Sequence, residues 1–288
     1  MALGNNWFTE IHHNAGSAFS LEINNKIDEV KTQFQHIEIY DTSTFGKLMI
    51  IDGCTMVSSR DNFLYHEMMT HPALFTHPKP EKVLVVGGGD CGTLREVLKH
   101  STVKKAWQVD IDEQVTRMAE KYFPELCESN DDPRAELLFE DGIKWIQDAE
   151  KGNIDLIIVD STDPVGPAEG LFSEAFYRDC IRALRGDGML VQQSESPLLH
   201  LELLQAMHKA MQDAGFSATK TLYFPQPLYP SGWWSATMAS KQDSLDSFRE
   251  EDSRHKPFNT SYYNIDIHHA ALAQPEFCKT AGLGACRT

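Results

Sequence analysis

The chain has 288 residues, of which 41% are hydrophobic and 24% are charged, an ordinary balance for one large globular domain or two smaller ones. Its 42 Asp and Glu residues outnumber its 26 Lys and Arg residues, and the net charge of −16 argues against nucleic acid or an anionic membrane as a partner. We find no apolar stretch of 18 residues, no leader pattern and no C-x-x-C pair among the six cysteines, so we expect a cytoplasmic protein with reduced thiols.

The first sixty residues have the pattern of a small antiparallel β-domain. Residues 36–40 alternate polar and apolar side chains, which is the period of a half-buried strand. The apolar run of residues 47–51 is followed by Asp52-Gly53, a strong turn signal.

A helical pattern follows over residues 61–75, where Pro72 predicts a kink or an early end. Pro78-Lys79-Pro80 then marks a domain boundary. We therefore assign residues 1–76 to an N-terminal β-domain with its connecting helix, and residues 77–288 to a second domain.

Between residues 82 and 240, strand patterns alternate with helix patterns, which is typical of βαβ units and a parallel sheet. Helices are predicted over residues 93–100, 113–122, 143–149, 173–184 and 201–214, and a strand over residues 189–193. Four strand-like runs each end at, or run into, an acidic residue: Asp90, Asp110, Asp141 and Asp160. Ligands of an open parallel sheet bind outside the carboxyl ends of its strands, so we expect a cleft that suits a cation and repels a phosphate.

A glycine-rich turn, residues 87–92, lies between the first of these strands and a helix, and matches G-x-G-x-x-G only loosely. In a dinucleotide site the pyrophosphate would bind at this helix start, where Asp90 would repel it. An S-adenosyl sulfonium compound has the adenosine and a positive charge without a phosphate, and it removes the conflict. A purely structural turn with a surface aspartate is the alternative.

Two further acids suit an adenosine. Asp110 ends a strand about twenty residues after the glycine turn, where an acid commonly accepts hydrogen bonds from ribose hydroxyls. Asp112 and Glu113 are better explained as the start of the next helix. Asp141 could accept from an adenine amino group, or could be a simple turn residue.

The strongest candidate for chemistry is the pair Asp160 and Asp163, which follows a strand apolar enough to be buried on both faces. Two carboxylates three residues apart could hold an ammonium group and take its proton. The alternative is an Asx turn in which Asp163 acts as a cap.

Two stretches could form walls beside these acids. Residues 192–197 are densely polar, and residues 228–234 are rich in aromatic side chains, whose faces attract cations. Trp233 and Trp234 are nonetheless expected in the core rather than against a ligand. The histidines are scattered and H-E-x-x-H is absent from the sequence, so no metal site is predicted.

Eight segments in order, covering nearly the whole chain, resemble the spermidine synthases of the polyamine aminopropyltransferase family. They are Trp7-Phe8-Thr9-Glu10, Asp52-Gly53, Arg60-Asp61, Tyr65-His66-Glu67-Met68, Gly87-Gly88-Gly89-Asp90, residues 160–164, Gln193-Ser194-Glu195-Ser196 and Tyr229-Pro230-Ser231-Gly232. The resemblance implies an α/β fold: a small antiparallel β-domain, then a Rossmann-like, methyltransferase-type parallel sheet. It also implies aminopropyl transfer from decarboxylated S-adenosylmethionine to putrescine, giving spermidine and methylthioadenosine, in a homodimer. The donor would be a co-substrate, and no cofactor is expected.

The resemblance also implies residue roles, with Asp160 as the base on the attacking amine. The acceptor side would be formed by Tyr65, Asp163, Gln193 and Tyr229. The donor side would be formed by Gln35, His66, Gly87, Asp90, Asp110 and Asp141. Of these, Asp90 would hold the donor's amino end with Gln35 and His66 close by, while Asp110 would bind the ribose and Asp141 the adenine.

Five positions depart from the family pattern. Cys91 replaces a glycine, Asp110 a glutamate and Met56 a glutamine, while Ser59 and Asn62 replace acids. These changes bear on donor affinity and acceptor choice, and they leave the proposed catalytic pair intact.

Two other functions compete with aminopropyl transfer. An amine N-methyltransferase would use intact S-adenosylmethionine, whose carboxylate would lie unfavourably beside Asp90. A non-catalytic polyamine-binding protein would bind putrescine without turnover, and the joint presence of Asp160, Asp163 and Tyr229 argues against it.

Overall fold

The computed structural model describes residue 4, residues 6–162 and residues 166–283. The N-terminal part is a five-stranded antiparallel sheet in which the strands follow chain order. Its strands are β1 (Trp7–His12), β2 (Ser17–Lys31), β3 (His36–Thr42), β4 (Lys47–Ile51) and β5 (Cys54–Ser58). The alternation predicted for β3 is present, since Ile37 and Ile39 are fully buried. Asp52 and Gly53 both have positive φ angles in the tight turn from β4 to β5.

Helix α1 (Asn62–Thr76) follows, and it continues one turn beyond Pro72. The predicted early end at Pro72 is wrong. Almost every residue of α1 is buried, and Met68 and Leu74 pack in the same apolar cluster as the strands of the second sheet. Tertiary packing of this kind outweighs the one backbone hydrogen bond that proline removes.

The second sheet has seven strands in the order β11-β12-β10-β9-β6-β7-β8. They are β6 (Lys82–Gly87), β7 (Lys105–Asp110), β8 (Ala135–Phe139), β9 (Ile154–Asp160), β10 (Leu184–Gln193), β11 (Ala218–Pro225) and β12 (Trp233–Ser240). The five strands from β10 to β8 are parallel, and β11 and β12 add an antiparallel edge. The predicted Rossmann-like α/β architecture is therefore confirmed.

Helices cover both faces of this sheet, and apolar clusters lie on either side of it. Besides α1, they are α2 (Gly92–Leu98), α3 (Glu113–Tyr122), α4 (Gly142–Asp148), α5 (Glu174–Ala183), α6 (Leu201–Ala214), α7 (Glu250–Arg254), α8 (Ile265–Ala271) and α9 (Glu276–Thr280). The capping role predicted for Asp112 is confirmed, because its carboxylate accepts from the backbone N–H of Gln114 at the start of α3. No helix among the described residues is both long and apolar enough to cross a membrane.

The order of the strands opens a crevice next to β6. The chain leaves the sheet at β8 and re-enters at β9, on the other side of β6, so the carboxyl ends of β6 and β9 border a topological switch point. Gly87 and Asp160 pair in register there. A Cβ atom on Gly87, whose φ is 81°, would lie 2.2 Å from the backbone oxygen of Asp160, so this close approach requires glycine.

The N-terminal sheet packs beside this crevice. Ile39 and Met49 share an apolar cluster with Met118 and Phe123, which lie in or just after α3, and Leu48 packs with Leu228 of the β11–β12 connection. The two sheets thus form one body with a cleft between them.

Candidate active site

Asp160 is held from two sides at the carboxyl end of β9. Its Oδ1 accepts a hydrogen bond from the hydroxyl of Tyr65 in α1 at 2.6 Å, and its Oδ2 accepts one from the hydroxyl of Thr93 in α2 at 2.6 Å. Burial, followed by the charge of Asp90, raises the pKa of Asp160, although His66 and the two hydroxyl groups act in the opposite direction. A carboxylate with a raised pKa at the carboxyl end of a strand beside a crevice is suited to act as a general base.

Asp90 and His66 form an ion pair beside this base. Nε2 of His66 lies 3.1 Å from Oδ2 of Asp90, whose Oδ1 accepts from the backbone N–H of Gly92 at 2.9 Å. Burial acts to raise the pKa of Asp90, but His66, the backbone N–H of Gly92 and the charge of Arg95 together outweigh it, and the net pKa is lowered. Burial acts to lower the pKa of His66, but the charge of Asp90 and the hydrogen bond to it raise this pKa, and the net pKa of His66 is raised. Asp90 is therefore an anion at neutral pH.

Asp110, the last residue of β7, lies against the glycine loop. A Cβ atom on Gly89 would lie 2.8 Å from Oδ2 of Asp110, so the loop backbone packs against this carboxylate. Burial raises the pKa of Asp110 to about 6, despite a hydrogen bond from the backbone N–H of Asp112. Gln35 donates to the carboxylate of Asp112 at 3.1 Å. The structure therefore places Gln35 near Asp110, two residues before its partner Asp112.

Asp141 lies at the exposed start of α4. Its Oδ1 accepts from the backbone N–H groups of Ile143 and Lys144, so it caps this helix. The alternative that Asp141 is a structural turn residue therefore accounts for part of its role, since it caps α4. Contact with an adenine would use the side chain in addition to this cap.

A cleft lies between the N-terminal sheet and the residues that follow β9, Ser161 and Thr162. Its lining includes Glu10, Met56, Tyr65, Gln193, Tyr229 and Trp234. The ring centroids of Tyr65 and Tyr229 are 5.6 Å apart, and those of Tyr229 and Trp234 are 4.8 Å apart. Aromatic walls with nearby carboxylates favour a cationic amine.

The tryptophans behave differently from each other. Trp234 is buried in the core, as predicted, yet it also lines the cleft. Trp233 is half-buried and packs against Tyr223 and Phe277, away from the cleft.

Two residues near Asp160 and the cleft, Glu10 and Thr93, had no role predicted from the sequence. Glu10 of β1 is buried, and its Oε2 accepts from both the backbone N–H and the hydroxyl of Thr55 at 2.7 Å. Glu10 belongs to a segment that carried the family resemblance, which was a usable signal. Thr93 gave no such signal, because a threonine in a helix is ordinary. Asp163 lies outside the described residues.

Two groups of three ionisable side chains elsewhere in the described chain have the spacing of metal ligands. They are Glu29, His36 and Glu38, and His77, Asp155 and Asp187. In the first group, Nζ of Lys26 already contacts Glu29 at 2.8 Å and Glu38 at 2.5 Å. In the second, Nδ1 of His77 accepts from the backbone N–H of Lys79, so Nε2 holds the ring proton and cannot bind a metal. We assign no metal site to either group.

Comparison with known proteins identifies the family. The model of the spermine/spermidine synthase domain matches residues 62–249, and that of the spermidine synthase tetramerisation domain matches residues 6–58. The chain belongs to the spermine/spermidine synthase family. The resemblance inferred from the sequence motifs is thereby confirmed.

Curated relatives and solved structures of this family match over almost the full chain. A polyamine aminopropyltransferase of Methylococcus capsulatus is 68% identical over 271 residues, covering 94% of this chain and 95% of that protein. One of Thioalkalivibrio sulfidiphilus is 63% identical over 278 residues, covering 96% and 98%. A spermidine synthase crystallised with the transition-state analogue AdoDATO is 35% identical with a TM-score of 0.93, covering 98% of this chain and 96% of that one. The spermidine synthase of Thermotoga maritima is 36% identical with a TM-score of 0.90, covering 96% and 93%.

Proposed function

We propose that this chain transfers the aminopropyl group of decarboxylated S-adenosylmethionine to putrescine, giving spermidine and methylthioadenosine. The observation that carries this proposal is the position of Asp160, which lies between a nucleoside-type glycine loop and a cleft with aromatic and acidic walls. Its relatives are named polyamine aminopropyltransferases, and a structural neighbour binds a transition-state analogue of spermidine synthase.

The chemistry is an in-line displacement at the carbon beside the sulfonium. The attacking amine has a pKa of roughly 10 and is protonated in water, so it must first lose a proton. Asp160 takes that proton, the carbon–nitrogen bond forms, and the carbon–sulfur bond breaks to leave neutral methylthioadenosine. Much of the rate comes from holding amine and carbon about 3–3.5 Å apart and in line.

The donor lies across the glycine loop in this proposal. The anionic Asp90, supported by His66, holds the ammonium group of the aminopropyl chain. Gly87 and its neighbours allow the adenosine to approach the backbone, while Asp110 binds the ribose with Gln35 close by. Asp141 binds the adenine at the start of α4. The donor is a substrate, and the mechanism uses no cofactor.

The acceptor occupies the aromatic cleft. Tyr65 keeps its proton, because burial and the charge of Asp160 raise its pKa well above the ordinary value, so it remains a hydrogen-bond donor to the base. Tyr229 is fixed by donating to the backbone oxygen of Met56 at 2.7 Å, and Gln193 lies at the same wall. Asp163 completes the ammonium site by analogy with the family.

We further propose that residues 1–76 supply one wall of the cleft, and that residues 77–288 supply the base and most of the donor site, to which Gln35 and His66 are added. The match of residues 6–58 to a tetramerisation domain supports self-association, and we propose at least a homodimer, which light scattering can test. The thiols of Cys91, Cys127, Cys180 and Cys278 are free, in keeping with the cytoplasmic location that we propose.

The decisive test offers the purified protein two donors with putrescine and separates the products. We expect spermidine and methylthioadenosine from decarboxylated S-adenosylmethionine, and no transfer from the intact donor, whose carboxylate would meet Asp90. A methylated diamine would identify an N-methyltransferase instead, and binding without any product would identify a non-catalytic protein. Cadaverine, agmatine and spermidine in place of putrescine would then define the acceptor range.

Nucleoside binding should depend on pH through Asp110. Its pKa of about 6 means that the carboxylate, which can accept from both ribose hydroxyls, becomes a neutral acid as the pH falls through 6. We expect methylthioadenosine to bind about tenfold more weakly at pH 5 than at pH 7.5, following the ionised fraction. Calorimetry checks this, with Asp110→Asn as the control that should bind weakly at both pH values. A wild-type affinity that stays constant across this range would contradict the ribose assignment.

A further inference from the structure

The hydroxyl of Thr93 is the second support of Asp160. Thr93 is the second residue of α2 and is fully buried, and its Oγ1 donates to Oδ2 of Asp160 at 2.6 Å. Oδ2 also faces the glycine loop, because a Cβ atom on Gly88 would lie 3.0 Å from it. The other oxygen, Oδ1, lies against Tyr65, which lines the acceptor cleft. The carboxylate plane is therefore fixed by one hydroxyl from each of two helices.

We propose that Thr93 is a positioning residue for the base: its hydroxyl keeps Asp160 ionised and turns Oδ1 toward the acceptor amine. This inference rests on the proposed aminopropyl transfer. In the reaction, Oδ2 continues to accept the Thr93 hydrogen bond while the proton of the amine goes to Oδ1.

The charges around Asp160 explain why such support is needed. Burial and the nearby Asp90 both favour the protonated form of Asp160, while His66, Thr93 and Tyr65 favour the ionised form. Asp110 is a further acid whose titration is influenced by Asp160. A hydrogen bond to a charged group is strong enough to move a pKa by about one unit, so the Thr93 hydroxyl shifts the balance toward the ionised base.

The test compares Thr93→Val, which removes the hydroxyl at nearly constant volume, with Thr93→Ser, which keeps it. Thr219→Val is a matched control, because Thr219 is also buried and its hydroxyl bonds to His208 at 2.8 Å, in β11 and away from the cleft. For each variant, kcat is measured from pH 5 to 9, and putrescine affinity is measured over the same range by calorimetry.

We expect Thr93→Val to move the acidic limb of the kcat profile to higher pH by about one unit. The pH below which putrescine binds weakly should rise by the same amount. At the pH of the wild-type limb kcat should fall about tenfold, while the high-pH plateau should change less than threefold. Thr93→Ser should restore the wild-type profile, and Thr219→Val should leave both limbs in place.

A purely structural role for Thr93 predicts a different result. Equal loss of kcat at every pH, with unmoved limbs in both measurements, would overturn the inference. If the wild type made no spermidine at all, the proposed function would fail instead. The pH dependence of putrescine affinity would still test the contact between Thr93 and Asp160.

Discussion

Replacing Asp160 by asparagine should lower kcat at least about a hundredfold, the scale on which enzymes lose activity with their general base. Asparagine keeps the size of the side chain and can still accept from Tyr65 or Thr93, but it cannot take a proton from the amine. Methylthioadenosine affinity should change less than threefold, because the proposed nucleoside contacts are made by Asp110 and Asp141 and not by Asp160. Single-turnover and steady-state assays of spermidine formation, with calorimetry for the nucleoside, measure both quantities.

Asp213→Asn is a suitable control for this variant. Asp213 is an exposed residue of α6 that pairs only with Lys209 among the described residues, so its loss should leave kcat within twofold. Near-normal turnover in Asp160→Asn would remove Asp160 from the role of base and leave the deprotonation of the amine to another group.

The largest effect on stability is expected at Glu67, next to the site residues Tyr65 and His66 in α1. Glu67 is buried, and its two carboxylate oxygens accept from three consecutive backbone N–H groups, those of residues 261–263, at 2.7 to 2.9 Å. Glu67→Ala would remove the acceptor of all three, and the N–H of the buried Tyr263 would be left without a partner in the interior. We expect it to lower the free energy of unfolding by about 3 kcal/mol or more. Urea unfolding followed by circular dichroism measures this change.

Two comparisons test the reason given for that loss. Glu67→Gln keeps one acceptor oxygen and should lose clearly less than Glu67→Ala. Glu202→Ala removes an exposed glutamate from the first turn of α6, where only the helix dipole is affected, and should cost less than about 1 kcal/mol. If Glu67→Ala were as mild as Glu202→Ala, the segment after α7 would not depend on this carboxylate.

Strands and helices that are signalled by neighbouring residues were predicted correctly from the sequence. The strands that end in Asp110 and Asp160 follow from apolar runs with an acid at the end, and the parallel sheet follows from their alternation with helices. The bounds of α3 and α6 agree with the prediction to the residue. In each case the signal lies within a few residues of the element that it describes.

Features that depend on packing were not readable. Nothing near Pro72 in the sequence indicates that α1 would be buried on nearly all sides and so tolerate a proline. Strand β12 contains the aromatic residues that we interpreted as part of a turn-rich wall, because alternation is masked where both faces are buried. The contact of Thr93 with Asp160 joins residues 67 positions apart, and no local pattern encodes it.

The roles in substrate binding came from family resemblance rather than from local pattern. For Asp90, Asp110 and Asp160, the structure adds geometry that fits those roles. For Asp163 the role stays a prediction.

The cleft draws its surface from both sheets: Glu10 and Met56 come from the small one, and Gln193 and Trp234 from the large one. In the mechanism that we propose, mutations in the first sixty residues would alter the length or polarity of the amine that fits, without touching the base that activates it. With this arrangement, the preferred polyamine would change during evolution while the reaction stays the same.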